Sequence, residues 1–151
     1  MKELKVTLLH PNAKLPTRAT DLAAGLDLYA LEDFVLPAAH TVGKAVHVGR
    51  YRARTGIAVH LAPGYEGQVR PRSGLGFNDG ITVFLGTIDA DYQGEINVLL
   101  FNTTIKERQF FSGDRIAQLV ISPVAMPVPV LADKPAAPTK RGTGGLGHTG
   151  R

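Results

Sequence analysis

Gly113-Asp114-Arg115-Ile116-Ala117-Gln118-Leu119-Val120 is a turn that leads into a short run of β-forming residues. Side chains point alternately to the two faces of a strand, so the faces can be assigned from the sequence. Ile116 and Gln118 are predicted on one face, and Arg115 and Ala117 on the other. A glutamine on an apolar face either bonds within the core or presents its amide to a ligand such as a phosphate. The segment therefore predicts a strand with one candidate binding residue.

Other short β-forming runs lie along the chain and are separated by turn residues such as Asn78-Asp79-Gly80. Many short strands at regular spacing, with turns between them, indicate an all-β sandwich or barrel. One short helix is predicted after Arg72. The predicted strands span Lys5–Leu9, Gly56–Leu61, Gly67–Pro71, Ile81–Leu85, Glu95–Asn102 and Arg115–Ser122.

The composition limits the class of protein. The 151 residues fit one domain, and the absence of cysteine excludes disulfides, thiolate catalysis and zinc–thiolate sites. No apolar run approaches the roughly 20 residues that a membrane-spanning helix needs. The net charge of +4 comes from scattered basic residues, which favours a small anion over nucleic acid as the partner. We expect a cytoplasmic protein that binds neither nucleic acid nor membranes.

The C-terminal end differs in composition from the rest of the chain. Residues 132–140 contain two prolines and little that can pack, and residues 141–151 are rich in glycine. Such a tail is either frayed, or it wraps an anion with glycine N–H groups and bidentate arginines. We therefore divide the chain into a folded domain, residues 1–133, and a flexible C-terminal arm, residues 134–151.

A candidate phosphate site lies in the segment Val69–Gly76, where a strand ends at a proline and small residues open a helical turn. The N–H groups at the start of such a turn, and the positive end of its dipole, favour an anion. Arg72 adds a positive charge and Ser73 a hydroxyl donor. Ser73 is also predicted to cap the helix, with Leu75 and Phe77 facing inward. An ordinary capped turn without a ligand explains the same residues.

A candidate catalytic segment follows at Gly86–Glu95. Alternation along an extended chain places Asp89 and Asp91 on one face, and Gly94 permits a tight turn. A carboxylate in a pocket can act as a general base, and the ring of Tyr92 beside it can pack on a substrate. The alternative is a polar hairpin with solvated carboxylates.

Asp27 lies in an apolar stretch, Ala24–Ala30. Burying a lone carboxylate is costly, so Asp27 needs a partner. The sequence leaves three kinds of partner open, namely a backbone donor, an arginine or a hydrated cation.

In this order and spacing, the five segments resemble the five motifs of the trimeric dUTPases, and the resemblance covers nearly the whole chain. It implies a distorted jelly-roll protomer of the β-clip type and a homotrimer with active sites between subunits, each closed by a C-terminal arm. It also implies Mg²⁺-dependent hydrolysis of dUTP to dUMP and pyrophosphate, which supplies dUMP for thymidylate synthesis and keeps uracil out of DNA. The motifs correspond to Ala24–Ala30, Pro71–Gly76, Gly86–Glu95, Gly113–Val120 and Arg141–Gly150.

The resemblance also implies roles for individual residues. Asp89 would be the catalytic base that activates water, and Tyr92 would stack on the deoxyribose. Asp27 would help to order Mg²⁺ indirectly, through water, which suits an ion that prefers phosphate oxygens and water to a full protein cage. The other residues implied to bind the substrate are Arg72, Ser73, Gly74, Thr87, Ile88, Asn97, Gln118, Arg141, Gly144, Gly145 and Leu146.

Three features depart from the family's usual pattern. Leu146 stands where the family usually has a phenylalanine that covers the uracil, and the segment Gly80–Gly86 is shorter than usual. Both features concern the base, so they affect selectivity and leave the phosphate and sugar contacts intact. The segment His40–Arg54 is longer than usual and basic, and we predict a surface hairpin there.

Three alternatives to a dUTP-specific enzyme remain open at this stage. The first is a pyrophosphatase with an altered base preference, and the second is an enzyme like the related dCTP deaminases. The third is a non-catalytic nucleotide-sensing protein on the same fold. Retention of Asp89, Tyr92 and Arg72 favours an enzyme over the third alternative.

Overall fold

The computed structural model describes residues 3–134 and 137–145, which form thirteen strands and one helix, α1 (Ser73–Asp79). Within these residues, no helix is long and apolar enough to cross a membrane. The strands are β1 Lys5–Leu8, β2 Gly25–Tyr29, β3 Phe34–Leu36, β4 His40–Val42, β5 Ala45–His47, β6 Gly49–Arg54, β7 Ile57–His60, β8 Tyr65–Arg70, β9 Ile81–Val83, β10 Gly86–Ile88, β11 Asn97–Asn102, β12 Arg108–Phe110 and β13 Arg115–Pro123.

The strands pair antiparallel, and two of the sheets are larger than the rest. Their strand orders are β10-β8-β13-β2 and β6-β11-β9. One buried core joins them, with Val69 and Leu119 from the first sheet and Val98 and Leu100 from the second. Each such side chain stabilises the fold by roughly 1.5–3 kcal/mol relative to an exposed one. This architecture is the distorted jelly roll predicted from the sequence.

All six strands predicted from the sequence are confirmed, with ends that shift by one or two residues. The pattern misses most of the other strands because three residues are too few to show an alternation of polar and apolar side chains. The surface hairpin predicted within His40–Arg54 is also confirmed, since β4 and β5 pair with each other and are exposed along their whole length.

Helix α1 begins differently from the prediction. Arg72 occupies the N-cap position and Ser73 already lies in the first turn, so the predicted capping role of Ser73 is wrong. Leu75 is buried as expected, but Phe77 is 91% exposed, and the prediction that it faces inward is wrong. Phe77 follows Leu75 by two positions, about 200° around the helix, so the two side chains point to nearly opposite sides of α1. The helix ends at Gly80, whose φ of 63° lets its N–H bond to the Leu75 carbonyl.

The turn after β11 depends on one buried side chain. Asn102 is fully buried, and its amide donates to the Lys106 carbonyl at 2.7 Å. Its side-chain oxygen accepts bonds from the Thr104 N–H at 2.9 Å and from the Thr104 hydroxyl at 2.8 Å. These bonds satisfy backbone groups that the strand ladder leaves free.

We expect Asn102→Ala to lower the free energy of unfolding by about 2–4 kcal/mol, because it removes these bonds and leaves buried polar groups unpaired. Urea unfolding at a fixed protein concentration measures the effect. Asn78→Ala is the matched control, since Asn78 is exposed on α1, and it should change stability by no more than about 0.5 kcal/mol. Equal stability of the two variants would show that other contacts hold the turn.

Candidate functional site

The first cluster of the candidate site is built around Asp27 on strand β2. Asp27 is 8% exposed, and its carboxylate accepts a bond from the Arg72 Nε at 2.9 Å and another from an Arg115 terminal nitrogen at 3.2 Å. Arg72 also donates to the Arg115 carbonyl at 3.2 Å. Of the three kinds of partner left open by the sequence, the structure therefore selects arginine.

Arg115 reaches Asp27 because of a β-bulge in strand β13. The pairing with β2 shifts between Arg115 and Ala117, so that Ile116 is an extra residue in the ladder. The extra residue changes the alternation by one, and Arg115 comes onto the face that carries Gln118 and Asp27. The predicted arrangement, with Arg115 and Ala117 together on the opposite face, is wrong for this reason. Ile116 and Ala117 are both fully buried.

Gln118 ties strand β13 to the candidate phosphate turn. Its side-chain amide donates to the Pro71 carbonyl at 2.8 Å, and in the sheet it lies opposite Asp27. Gly25 makes room for this side chain, because any Cβ at that position would collide with the Gln118 amide. Of the two possibilities left by the sequence, the structure shows a bonded glutamine, placed at the edge of a cleft.

This cleft has a volume of about 340 Å³ and lies at the start of α1. Arg72, Ser73 and Gln118 line it together, and Gly74 is exposed beside them. A guanidinium group has five N–H donors, so Arg72 can hold Asp27 and still present donors to a ligand. A positive charge, a hydroxyl and an amide on one cleft are suited to bind an anion.

The second cluster is the turn that follows strand β10. The Tyr92 N–H donates to the Asp89 carbonyl at 3.1 Å, which closes a turn, and the Tyr92 hydroxyl donates to the Glu95 carbonyl at 2.9 Å. Asp91 therefore lies in a turn, and the prediction of an extended segment through it is wrong. Both carboxylates nevertheless line one cleft of about 670 Å³, and Thr87 lies beside them. Asp89 is exposed in this cleft and is therefore accessible to a ligand.

The remaining residues of this segment have supporting positions. Ile88 is buried in the core and anchors the strand that ends next to Asp89. The Asn97 side chain donates to the Glu95 carbonyl at 3.1 Å, the same carbonyl that accepts from Tyr92. Tyr92 is 44% exposed, so part of its side chain is accessible to a ligand.

The two clusters lie at opposite ends of the same sheet. Ile88 faces Gly67 across the β10–β8 pair, and Asp89 continues from there in the direction away from Arg72. Arg72 is five residues beyond Gly67 in extended backbone, which corresponds to roughly 16 Å at the usual rise of a strand. One chain therefore holds Asp89 too far from Arg72 for both to act on the same phosphate group.

The described part of the C-terminal arm folds on itself. Arg141 donates from Nε to the Gly144 carbonyl at 3.0 Å, and the Gly144 N–H donates to the Arg141 carbonyl at 3.0 Å. Gly145 is exposed next to this turn. Leu146, which the sequence places over the base, lies outside the described residues.

The acidic residues suit Mg²⁺ only in an indirect role. Within residues 3–134 and 137–145, no three His, Asp or Glu side chains converge on a point. Both oxygens of Asp27 already accept bonds from arginines, although a carboxylate oxygen can accept a second bond, for example from water. The donor set fits an ion held chiefly by substrate oxygens and water, with Asp27 bound to its hydration shell.

Arg115 is the residue of this site that reasoning from the sequence missed. It is next to Gly113-Asp114, in a segment already marked as functional, but strict alternation assigned it to the wrong face. The arginine–carboxylate–arginine arrangement could be found only from the pairing of β2 with β13.

The fold and the two clusters define a class: a small jelly-roll protein with an arginine-lined anion cleft and an exposed carboxylate–tyrosine turn. The model of the dUTPase family matches residues 11–150 of this chain. The chain therefore belongs to the dUTPase family.

Curated relatives also match this chain over nearly its full length, and their name agrees with the family. The chain is 42% identical to the deoxyuridine 5'-triphosphate nucleotidohydrolase of Heliobacterium modesticaldum, with 98% of this chain and 96% of that protein covered. It is 45% identical to the enzyme of the same name from Hydrogenobaculum sp., with 98% of each protein covered.

Solved structures show the same fold. The dUTPase of Staphylococcus bacteriophage 80alpha with dUPNHPP matches with a TM-score of 0.88 and 25% identity, and each chain is covered completely. A mutant dUTPase from phage phi11 of S. aureus, studied for its coordination of a structural Mg(II) ion, matches with a TM-score of 0.79 and 25% identity. That match covers 90% of this chain and 100% of the phage chain.

We expect Asp27→Asn to lower the free energy of unfolding by about 2–3 kcal/mol, because two neighbouring guanidinium groups lose the anion between them. Arg115→Gln should cost about 1 kcal/mol or less, because its side chain is 49% exposed and the pair is partly screened. Urea unfolding of both variants at one protein concentration gives the comparison. An Asp27→Asn protein as stable as the wild type would show that the arginines do not need the carboxylate.

Proposed function

We propose that this protein hydrolyses dUTP to dUMP and pyrophosphate by attack of water on the α-phosphorus, with Mg²⁺. The observation that carries the proposal is the cleft on which Arg72, Ser73 and Gln118 converge, in a chain of the dUTPase family. The reaction would supply dUMP for thymidylate synthesis and keep uracil out of DNA. We place it in the cytoplasm, in line with a chain that has no cysteine.

The arginine-lined cleft is the proposed phosphate site. Arg72 and the Ser73 hydroxyl would donate to phosphate oxygens, and the N–H groups of Ser73 and Gly74 face the same region at the start of α1. Gln118 would present its amide from the opposite side of the cleft. The two bonds that Arg72 makes to Asp27 and Arg115 hold its guanidinium in place before the substrate arrives, which lowers the entropic cost of binding.

Asp89 is the proposed catalytic base. Its carboxylate would take a proton from water as the water oxygen forms a bond to the α-phosphorus, and the bond from that phosphorus to the bridging oxygen would break to release pyrophosphate. Thr87 and Ile88 would support the substrate from the adjoining strand, with Asn97 behind the turn. The exposed ring of Tyr92 would pack on the deoxyribose and leave no room for a 2′-hydroxyl.

Mg²⁺, when bound, would neutralise charge on the phosphate oxygens. Asp27 would contact the water around the ion and would hold Arg72 at the same time.

Two features of the chain support the proposed homotrimer with shared active sites. The first is the distance between Asp89 and Arg72, which requires these residues to come from different chains if they act on one substrate. The second is a run of exposed apolar side chains after β13, which a lone chain leaves in water. These side chains are Val124, Met126, Val128, Val130 and Leu131, the last of them 96% exposed.

The C-terminal arm is proposed to close the site of a neighbouring chain. Arg141 and the following glycines, including Gly144 and Gly145, would bind the end of the triphosphate, because glycine N–H groups approach phosphates closely. Leu146 would lie over the base. The boundary at residues 133 and 134 stays a prediction.

Pyrophosphate release from dUTP, dCTP, dTTP and UTP, assayed in parallel with ammonia, tests the proposed reaction. We expect pyrophosphate from dUTP and the slowest reaction with UTP, because Tyr92 excludes the 2′-hydroxyl. Faster turnover of another deoxynucleotide would indicate the altered base preference. Ammonia would indicate a deaminase-like enzyme, and nucleotide binding without any product would indicate a sensor.

We expect Asp89→Asn to reduce turnover of dUTP by at least about a hundredfold, because the amide keeps the shape but cannot accept the proton. Binding of a non-hydrolysable dUTP analogue should change by less than about threefold. Asp91→Asn is the matched control, because it removes the same charge from the same cleft. Turnover of Asp89→Asn within about tenfold of the wild type would assign the base to another residue.

Mixed trimers test the sharing of active sites. We expect Asp89→Asn and Arg72→Gln proteins, inactive alone, to recover activity when they are unfolded together and refolded as a mixture. In a random mixture, about a quarter of the shared sites would take Asp89 from one chain and Arg72 from another, both intact.

The control mixture combines Asp89→Asn with Tyr92→Ala. These residues belong to one turn of one chain, so every site would carry at least one defect, and the mixture should be no more active than the two proteins refolded separately. Recovery of activity in the control mixture would contradict active sites that combine the two ends of the sheet from different chains. So would the absence of recovery in the first mixture.

A further inference from the structure

A third cleft, separate from those described above, lies between the β4–β5 hairpin and the outer face of the three-stranded sheet. Its volume is about 500 Å³. His40 and His47 line it from the hairpin, Arg50 and Phe101 line it from strands β6 and β11, and Val46 adds an apolar side chain. None of these residues belongs to the five motifs of the sequence.

The pairing of the strands brings these side chains together. His40 lies directly opposite His47 in the hairpin, and their rings stack with centroids 5.4 Å apart and planes within 16°. Arg50 lies directly opposite Phe101 across the β6–β11 pair, and both point away from the core. Residues opposite each other in an antiparallel pair have Cβ atoms about 5 Å apart, so Arg50 and Phe101 leave the sheet side by side and line the same cleft.

The charged side chain that lines the cleft, Arg50, is positive. Among the residues that the structure describes, no acidic side chain lines it, and Arg50 forms no ion pair there. Lys44 at the turn of the hairpin and Arg52 farther along β6 add positive charge nearby. An exposed guanidinium with free donors beside two imidazoles can bind an anion through charge-assisted hydrogen bonds.

The same geometry argues against a metal ion between the histidines. The lone pairs of imidazole nitrogens lie in the planes of the rings, and nearly parallel rings do not direct them to one point. The neighbouring cations would also repel a metal ion.

We propose that this cleft binds a phosphoryl anion. Arg50 provides a bidentate donor for two phosphate oxygens, and His40 and His47 add ring N–H donors. The Phe101 ring and Val46 form an apolar surface that suits an organic group attached to the phosphate. Free inorganic phosphate and a nucleoside monophosphate both offer phosphate oxygens to these donors. Only the nucleoside monophosphate has an organic group that can contact the apolar surface.

The test uses the full-length, assembled protein and follows the imidazole resonances of His40 and His47 by NMR. Inorganic phosphate and uridine monophosphate are titrated separately. His60, which is exposed and bonded to the Thr7 hydroxyl away from the cleft, is the internal reference. We expect both anions to move the His40 and His47 resonances and to leave His60 unchanged. Tighter binding of uridine monophosphate identifies an organic phosphate as the ligand, and equal binding identifies free phosphate.

Variants locate the binding within the cleft. We expect Arg50→Gln to weaken the binding at least about tenfold and His47→Asn to weaken it severalfold. Lys44→Gln is the matched control for Arg50→Gln, because it removes the same charge from the adjoining hairpin without lining the cleft, and it should change affinity by less than about twofold. All three variants should hydrolyse dUTP like the wild type.

Three results would overturn the proposal. Equal weakening by Arg50→Gln and Lys44→Gln would mean diffuse attraction to a basic surface. Movement of the two histidine resonances by Zn²⁺ and by neither phosphate would mean a metal pair. Resonances that neither anion moves, at concentrations up to about 10 mM, would mean that the assembled protein leaves no such site open.

Discussion

The carboxylate of Asp27 lies between Arg72 and Arg115, and the arginine-lined cleft depends on this one interaction. Two guanidinium groups this close repel each other unless an anion separates them. Asp27 therefore allows positive charge to be concentrated beside the turn where we place the substrate phosphates. It also joins segments that are 45 and 88 residues away along the chain, so the same contact organises the sheet and the site.

Regular patterns in the sequence predicted much of the fold, and the exceptions have physical causes. Strand β13 was predicted to within one residue, but the face of Arg115 was wrong because a bulge inserts one residue into the ladder. The need of Asp27 for a partner was clear from its apolar neighbours, whereas the choice of arginine depended on sheet pairing. Phe77 follows Leu75 by two positions, which is about 200° around a helix, so a helix that buries Leu75 turns Phe77 towards the solvent.

Strand β8 acts as a spacer between the two clusters. It lies in the middle of its sheet, bonded to β10 on one side and to β13 on the other, so its length is fixed. The order of motifs along the chain does not reveal that Asp89 and Arg72 lie at opposite ends of this spacer. That fact comes from the antiparallel register of Ile88 with Gly67. In the proposed function, the rigid strand keeps a base and its phosphate site apart until chains assemble.

The exposed apolar segment after β13 would be a hazard for a chain that has not yet found its partners. Alternating apolar residues in an extended segment can pair with other chains edge to edge and begin aggregation. Here Pro127 and Pro129 alternate with Val128 and Val130, and a proline has no N–H to offer to a growing sheet. The prolines thus act as gatekeepers, which leave the side chains available to a specific neighbour while they block the backbone pairing on which fibrils depend.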